Sequence, residues 1–152
     1  MNKTIHTMNK FDFTMEDYRH YIDLLQQNIN RMASNSASCK TWVVGMISAL
    51  FAIQAIKEMT CLFLFTIFPI VLFFFLDSYY LGLEKRFIKL EMDLVNHIKM
   101  KKNEDYKDMY NMNPQTIGND FRYTWKGMRS YSTWPFYGIL LLFVVVIFWF
   151  IK

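Results

Sequence analysis

Charge is missing from two long runs of this chain. MTCLFLFTIFPIVLFFFL (59–76) and PFYGILLLFVVVIFWFI (135–151) carry none across 18 and 17 residues. Glycine, proline and cysteine are scarce as well, at five, three and two in 152 residues. Each shortage excludes some chemistry. No GxSxG elbow, P-loop or GxGxxG turn occurs, so no backbone cradle for a phosphate or an activated serine is expected. The two cysteines, Cys39 and Cys61, flank an apolar run that would hold them at opposite membrane faces. Neither a disulfide framework nor a thiolate metal site follows from them. His6, His20 and His97 form no HExxH-like array, although His20 and His97 would approach each other if their helices paired. Asp12, Glu16 and Asp17 cluster, but helix capping explains them without acid–base work. No catalytic residue, cofactor site or metal site is assigned.

What is present is apolar surface. Hydrophobic residues make up 53% and aromatic residues 18% of the chain, too much for an ordinary soluble domain. A third run at 41–56, itself without charge, joins those at 59–76 and 135–151. At about 1.5 Å per residue, the longer runs cover roughly 25–27 Å, just enough for a bacterial or thin bilayer. The polar leader does not resemble a cleavable signal peptide, so all three runs read as retained spans. The expected fold is an all-α membrane protein with three transmembrane helices and cytoplasmic helical extensions. Its parts are an N-terminal amphipathic helix in 1–40, a transmembrane hairpin at 41–76 (spans 41–56 and 59–76), a cytoplasmic helix and loop at 77–134, and a third span at 135–151. The non-membrane pieces are too small to fold around cores of their own.

Basic residues fix the expected orientation. Of 17, all but Lys57 and Lys152 fall before the first run or between the second and third. The positive-inside rule then puts the N-terminus and the long middle segment in the cytoplasm, with the C-terminus outside. Twelve of the 13 acidic residues accompany them, so no net basic stripe is left for direct nucleic-acid binding.

Periodicity supplies the rest. Tyr18, Tyr21, Ile22, Leu25, Ile29 and Met32 recur at steps of three and four, a helical stripe within 11–33. Thr14 and Asp17 fit a capping box at its start. SNSASCKT (34–41) reads either as a break or as a tightly packed helical lead-in. In the first span, Gly45, Ser48, Ala49, Ala52 and Ala55 share one face. Gly45, Ala49 and Ala52 form a packing seam, within one subunit or between subunits. Gln54 adds a polar group that favours protein or water over lipid. Pro69 should bend the second span. Leu83, Phe87, Leu90, Leu94 and Ile98 continue the helical pattern to about residue 101. This extension is the natural partner of the N-terminal stripe, since each has one apolar face to bury. Residues 101–120 read as loop with at most a short helix around 103–110. FRYTWKGMRSYSTW (121–134) reads as an interfacial belt of aromatic and basic residues.

Asp77, Tyr80, Glu84 and Arg86 stand where the second span ends. Asp77 and Glu84, seven apart, share a helix face. They serve either as stop-transfer anchors or, repeated around an oligomer axis, as a cation-favouring mouth. A carboxylate at this depth is costly facing lipid, so an inward or paired position is expected.

LDSYYLGLEKRFIKLEMDLV resembles the LDxxYLxxExxFxxLYxxV stretch that follows the second membrane helix of small two- and three-helix bacterial membrane proteins. The matching positions are Leu76, Asp77, Tyr80, Leu81, Glu84, Phe87, Leu90 and Val95. Glu91 and Met92 replace the usual aromatic after the leucine. Tyr18, Tyr21, Leu25, Ile29, Asn30, Arg31 and Met32 are similar to the pattern before their first span, and Ser130, Ser132, Phe136 and Tyr137 to the approach to their last. The group includes SLATT-like effectors of anti-phage systems and RipA-like oligomeric membrane proteins. The resemblance implies a homo-oligomer in the bacterial inner membrane. In its defence members it further implies membrane disruption, as in abortive infection, upon activation by a partner, here a cytoplasmic protein or nucleotide signal. The rival expectation is a non-conducting scaffold that recruits a soluble partner through an exposed groove on the cytoplasmic helices.

Overall fold

The computed structural model describes residues 14–57, 62–100, 110–114 and 120–151, with side chains left out at 56, 57, 62–64, 120 and 151. Among these residues every regular element is a helix. α1 runs Met15–Lys57, α2 Leu62–Lys99, α3 Asp120–Met128 and α4 Trp134–Ile151. α1 and α2 have 43 and 38 residues, so at 1.5 Å per residue they are rods of about 65 and 57 Å. They pair along their lengths as an antiparallel hairpin, and α3 and α4 both pack on α2.

α1 starts where the capping box places it. Thr14 N–H and Oγ donate to Asp17 Oδ2 at 2.8 and 2.7 Å, and Asp17 N–H donates back to Thr14 Oγ at 3.2 Å. Those bonds to Thr14 hold the Asp17 carboxyl below its ordinary pKa. The helix then passes through 34–41 without a break, which settles that segment as helical lead-in. Serine is a middling helix former, and here its small size lets α2 approach.

The hairpin has two apolar clusters. Toward one end, Tyr21, Leu25 and Met32 of α1 meet Phe87, Leu90 and Leu94 of α2. These are the stripes that the sequence pairs. The segment 110–114 closes over them: Met112 packs on the cluster, and Tyr21 Oη donates to Asn111 O at 2.8 Å. Tyr110 turns there with φ of 61°, a left-handed conformation uncommon for a residue with a side chain. Toward the other end, Val43 and Ile47 of α1, Ile70 of α2, and Tyr137 and Val144 of α4 form the second cluster. Tyr137 Oη donates to Phe73 O at 3.1 Å, fixing the start of α4 beside α2.

Among the described residues two helices, not the expected three, are long and apolar enough to cross a membrane. The expected third span exists as α4, an apolar helix of 18 residues where α1 and α2 have 43 and 38. The belt expected at 121–134 is likewise more structured than its composition suggests, because it contains α3. The extension expected to reach residue 101 ends as α2 at Lys99. The start of the chain to residue 13, the Glu58 part of the hairpin turn, Cys61 and the segment 101–109 lie outside the described residues.

Candidate functional site

A polar contact separates the two apolar clusters. Ser36 and Lys40, four apart, occupy one face of α1, and Asp77 of α2 meets both. Ser36 Oγ donates to Asp77 Oδ1, and the Lys40 ammonium lies 2.8 Å from Asp77 Oδ2 and 3.1 Å from Ser36 Oγ. Asp77 has no exposed surface. A buried carboxylate without partners would cost several kcal/mol, so this cation and hydroxyl are conditions of its placement. The pair holds register more than it stabilises, because burying both charges offsets much of their attraction.

Glu84 continues the Asp77 face two turns on and is half-buried. Burial pushes its carboxyl above the ordinary value, while Lys85 and Lys40 pull it down and Asp77 adds to the rise. Tyr80 lies between them and packs against the Tyr21–Leu94 cluster. Asp77, Tyr80 and Glu84 thus form one α1-facing group. Arg86 points elsewhere. Only 2% of it is exposed, and its guanidinium sits 5.2 Å from the centre of the Tyr123 ring on α3. Lys126 Nζ lies 5.1 Å from the same ring.

The α2–α3 contact depends on two glycines that the sequence reading passed over. A Cβ on Gly127 would come within 2.2 Å of Ser78 O, and one on Gly82 within 3.0 Å of Thr124 N and Tyr123 C. The backbones touch, as when small residues four apart face each other, and Ser78 with Gly82 is such a spacing. That spacing was the available signal. Lys85 Nζ then donates to Lys126 O at 2.9 Å, placing a cation at the C-terminal end of α3. Burial pulls the Lys85 pKa below its ordinary value.

Gly45, Ala49 and Ala52 are exposed, and a Cβ on Gly45 would meet nothing within 4 Å. Among the described residues nothing packs on Gly45, and the seam lies open. Pro69 is buried inside α2, which continues on both sides of it. Gln54 is 6% exposed, and its amide nitrogen and oxygen both lack a hydrogen-bond partner. His20 lies against Tyr110, ring centroids 6.3 Å apart. Among the described residues no three His, Cys, Asp or Glu side chains gather to hold a metal, and Cys39 is a buried free thiol.

No family model, curated protein or solved structure matches this chain. Its class is defined by its own architecture: an all-helical hairpin with two long apolar helices and a buried ion pair between two cores.

Proposed function

We propose that the chain is an oligomeric effector of the bacterial inner membrane that permeabilises the bilayer when a cytoplasmic partner or nucleotide signal activates it, in anti-phage defence by abortive infection. In this reading α4 is a third, short span that thins the bilayer around it, with the N-terminus cytoplasmic and the C-terminus outside. The observation that carries the reading is the Ser36–Lys40–Asp77 contact at the boundary between the two clusters. A buried ion pair at such a joint is a natural two-state element: an activator that favours a hairpin with the pair separated shifts the population by its differential affinity. The exposed face of Gly45, Ala49 and Ala52 suits close approach of a second copy, since small residues let helix backbones meet in lipid. The defence setting rests on the resemblance around 76–95. A recruiting scaffold has less support, because the apolar stripes of the expected cytoplasmic helices are buried on each other.

Expression in bacteria with a voltage-sensitive dye tests the reading. The parent should be silent without its trigger, Asp77→Ala or Lys40→Met should depolarise cells, and the combined Asp77→Leu, Lys40→Met chain should be silent again. Single variants that accumulate in the membrane yet leave the potential unchanged would sink the effector reading.

A further inference from the structure

α3 turns an unusual face outward. Phe121 and Trp125 stack with centroids 6.4 Å apart and are 71% and 53% exposed, while a glycine takes the position against α2. Beside them Arg122, Lys126 and Arg129, spaced by four and three, form an exposed basic stripe. From 121 to 152 the chain contains no aspartate or glutamate. Past the end of α3, Arg129, Ser130, Tyr131, Trp134 and Pro135 line an open cleft of about 560 Å³. Small-ligand sites occupy roughly 300–1,000 Å³, so a lipid headgroup has room there. Tyr131 is 95% exposed and Trp134 69%, at the point where α4 begins its uncharged run.

Depth follows from the glycine contacts. Gly127 touches Ser78, and Gly82 touches Tyr123 and Thr124. Those α2 positions are two and six residues beyond the uncharged run ending at 76, hence roughly 3–9 Å along the helix axis. A headgroup layer is about 5–8 Å thick on each side. In water a stacked Phe–Trp pair facing outward beside three exposed basic side chains is unfavourable; in a headgroup layer aromatic rings settle and basic groups meet phosphate.

The geometry points to a selective site for anionic phospholipid headgroups on α3 and the 129–134 turn. The Arg129 guanidinium is the phosphate-facing group of the cleft, and Arg122 and Lys126 extend the field along α3. This rests on the membrane placement of the proposed function but not on permeabilisation. The occupant is a lipid because the face combines exposed positive charge with exposed aromatics and runs directly into an apolar helix.

The test uses the full chain in vesicles of three parts phosphatidylcholine to one part phosphatidylglycerol. Trp42→Phe and Trp149→Phe leave Trp125 and Trp134 as reporters. Brominated acyl chains are placed on one lipid or the other at equal mole fraction. Brominated phosphatidylglycerol should quench at least about two-fold more than brominated phosphatidylcholine, and the ratio should fall to about one in the Arg122→Gln, Lys126→Gln, Arg129→Gln chain. Arg122→Lys with Arg129→Lys should retain the excess, which separates charge from misfolding. Equal quenching in the parent overturns the site while leaving the membrane placement intact, as does an excess that survives the glutamine substitutions. Quenching by neither lipid overturns the membrane placement itself.

Discussion

The two ends of the hairpin are built on opposite rules. Around Tyr21, Leu25 and Leu94 the apolar side chains meet in the middle, and the outside is Arg19, Asp23, Gln26, Gln27, Lys89 and Asp93. Around Val43, Ile47 and Ile70 the outside is itself apolar, with Phe65, Phe68, Leu72, Phe75, Leu142 and Phe143 exposed, while Thr66 and Gln54 are buried. Both ends belong to the same two unbroken helices. The difference therefore lies in the surface each end presents and not in the secondary structure. Water rewards the first pattern through the hydrophobic effect; lipid tolerates the second, because hydrocarbon outside is as good as hydrocarbon inside.

Substitutions at the boundary should break this contrast most. Asp77→Ala leaves the largely buried Lys40 ammonium with only the Ser36 hydroxyl, and the detergent-solubilised protein should lose about 3–5 kcal/mol in a denaturant titration. Replacing both partners with apolar residues should recover most of that loss. Next in size is a matched pair of charges. Phe68→Lys, on the apolar end, should cost about 2.5–3.5 kcal/mol of insertion, whereas Met92→Lys, equally outward on the polar end, should stay within about 0.5 kcal/mol of the parent. A translocon-insertion assay for the first and thermal unfolding for the second would check this, and equal tolerance of both lysines would abolish the distinction.

A smaller effect belongs to α3. Gly127→Ala pushes a methyl group into Ser78 O, so α3 must lift away from α2, at about 1–3 kcal/mol or more. Faster protease cleavage at Lys126 and Arg129 would report it. The smallest concerns pH. The folded-state pKa of Glu84 is raised from its ordinary 4.5, so its contribution is fully present below that value and is lost as pH rises through the raised one. Glu84→Gln should therefore flatten the fall in melting temperature above pH 4.5, with little change below it.

Much of this plan was legible in the residues. Steps of three and four in Tyr18–Met32 and Leu83–Ile98 announce two stripes that need each other, and Thr14 with Asp17 marks where α1 begins. The polar joint was only half legible. Asp77 had to be paired, but nothing local names Lys40, because its partnership depends on how 62–77 folds back along 36–57. α3 was hidden for another reason. Its aromatic and basic composition suits an unstructured belt equally well, and what makes it a packed helix is the absence of side chains at Gly82 and Gly127. The apolar length of α4 falls just where a span and a core helix cannot be told apart by counting.

Because α1 runs unbroken through Ser36–Lys40, a tilt of the helix about that contact, as the proposed function requires, makes it a fulcrum. About 25 residues lie on the Met15 side of Lys40 and 17 on the Lys57 side, arms of roughly 37 and 26 Å. A sideways push on the longer arm reaches the far tip reversed in direction and reduced by about a third. In such a tilt a displacement at one end arrives at the other scaled by where the lysine sits.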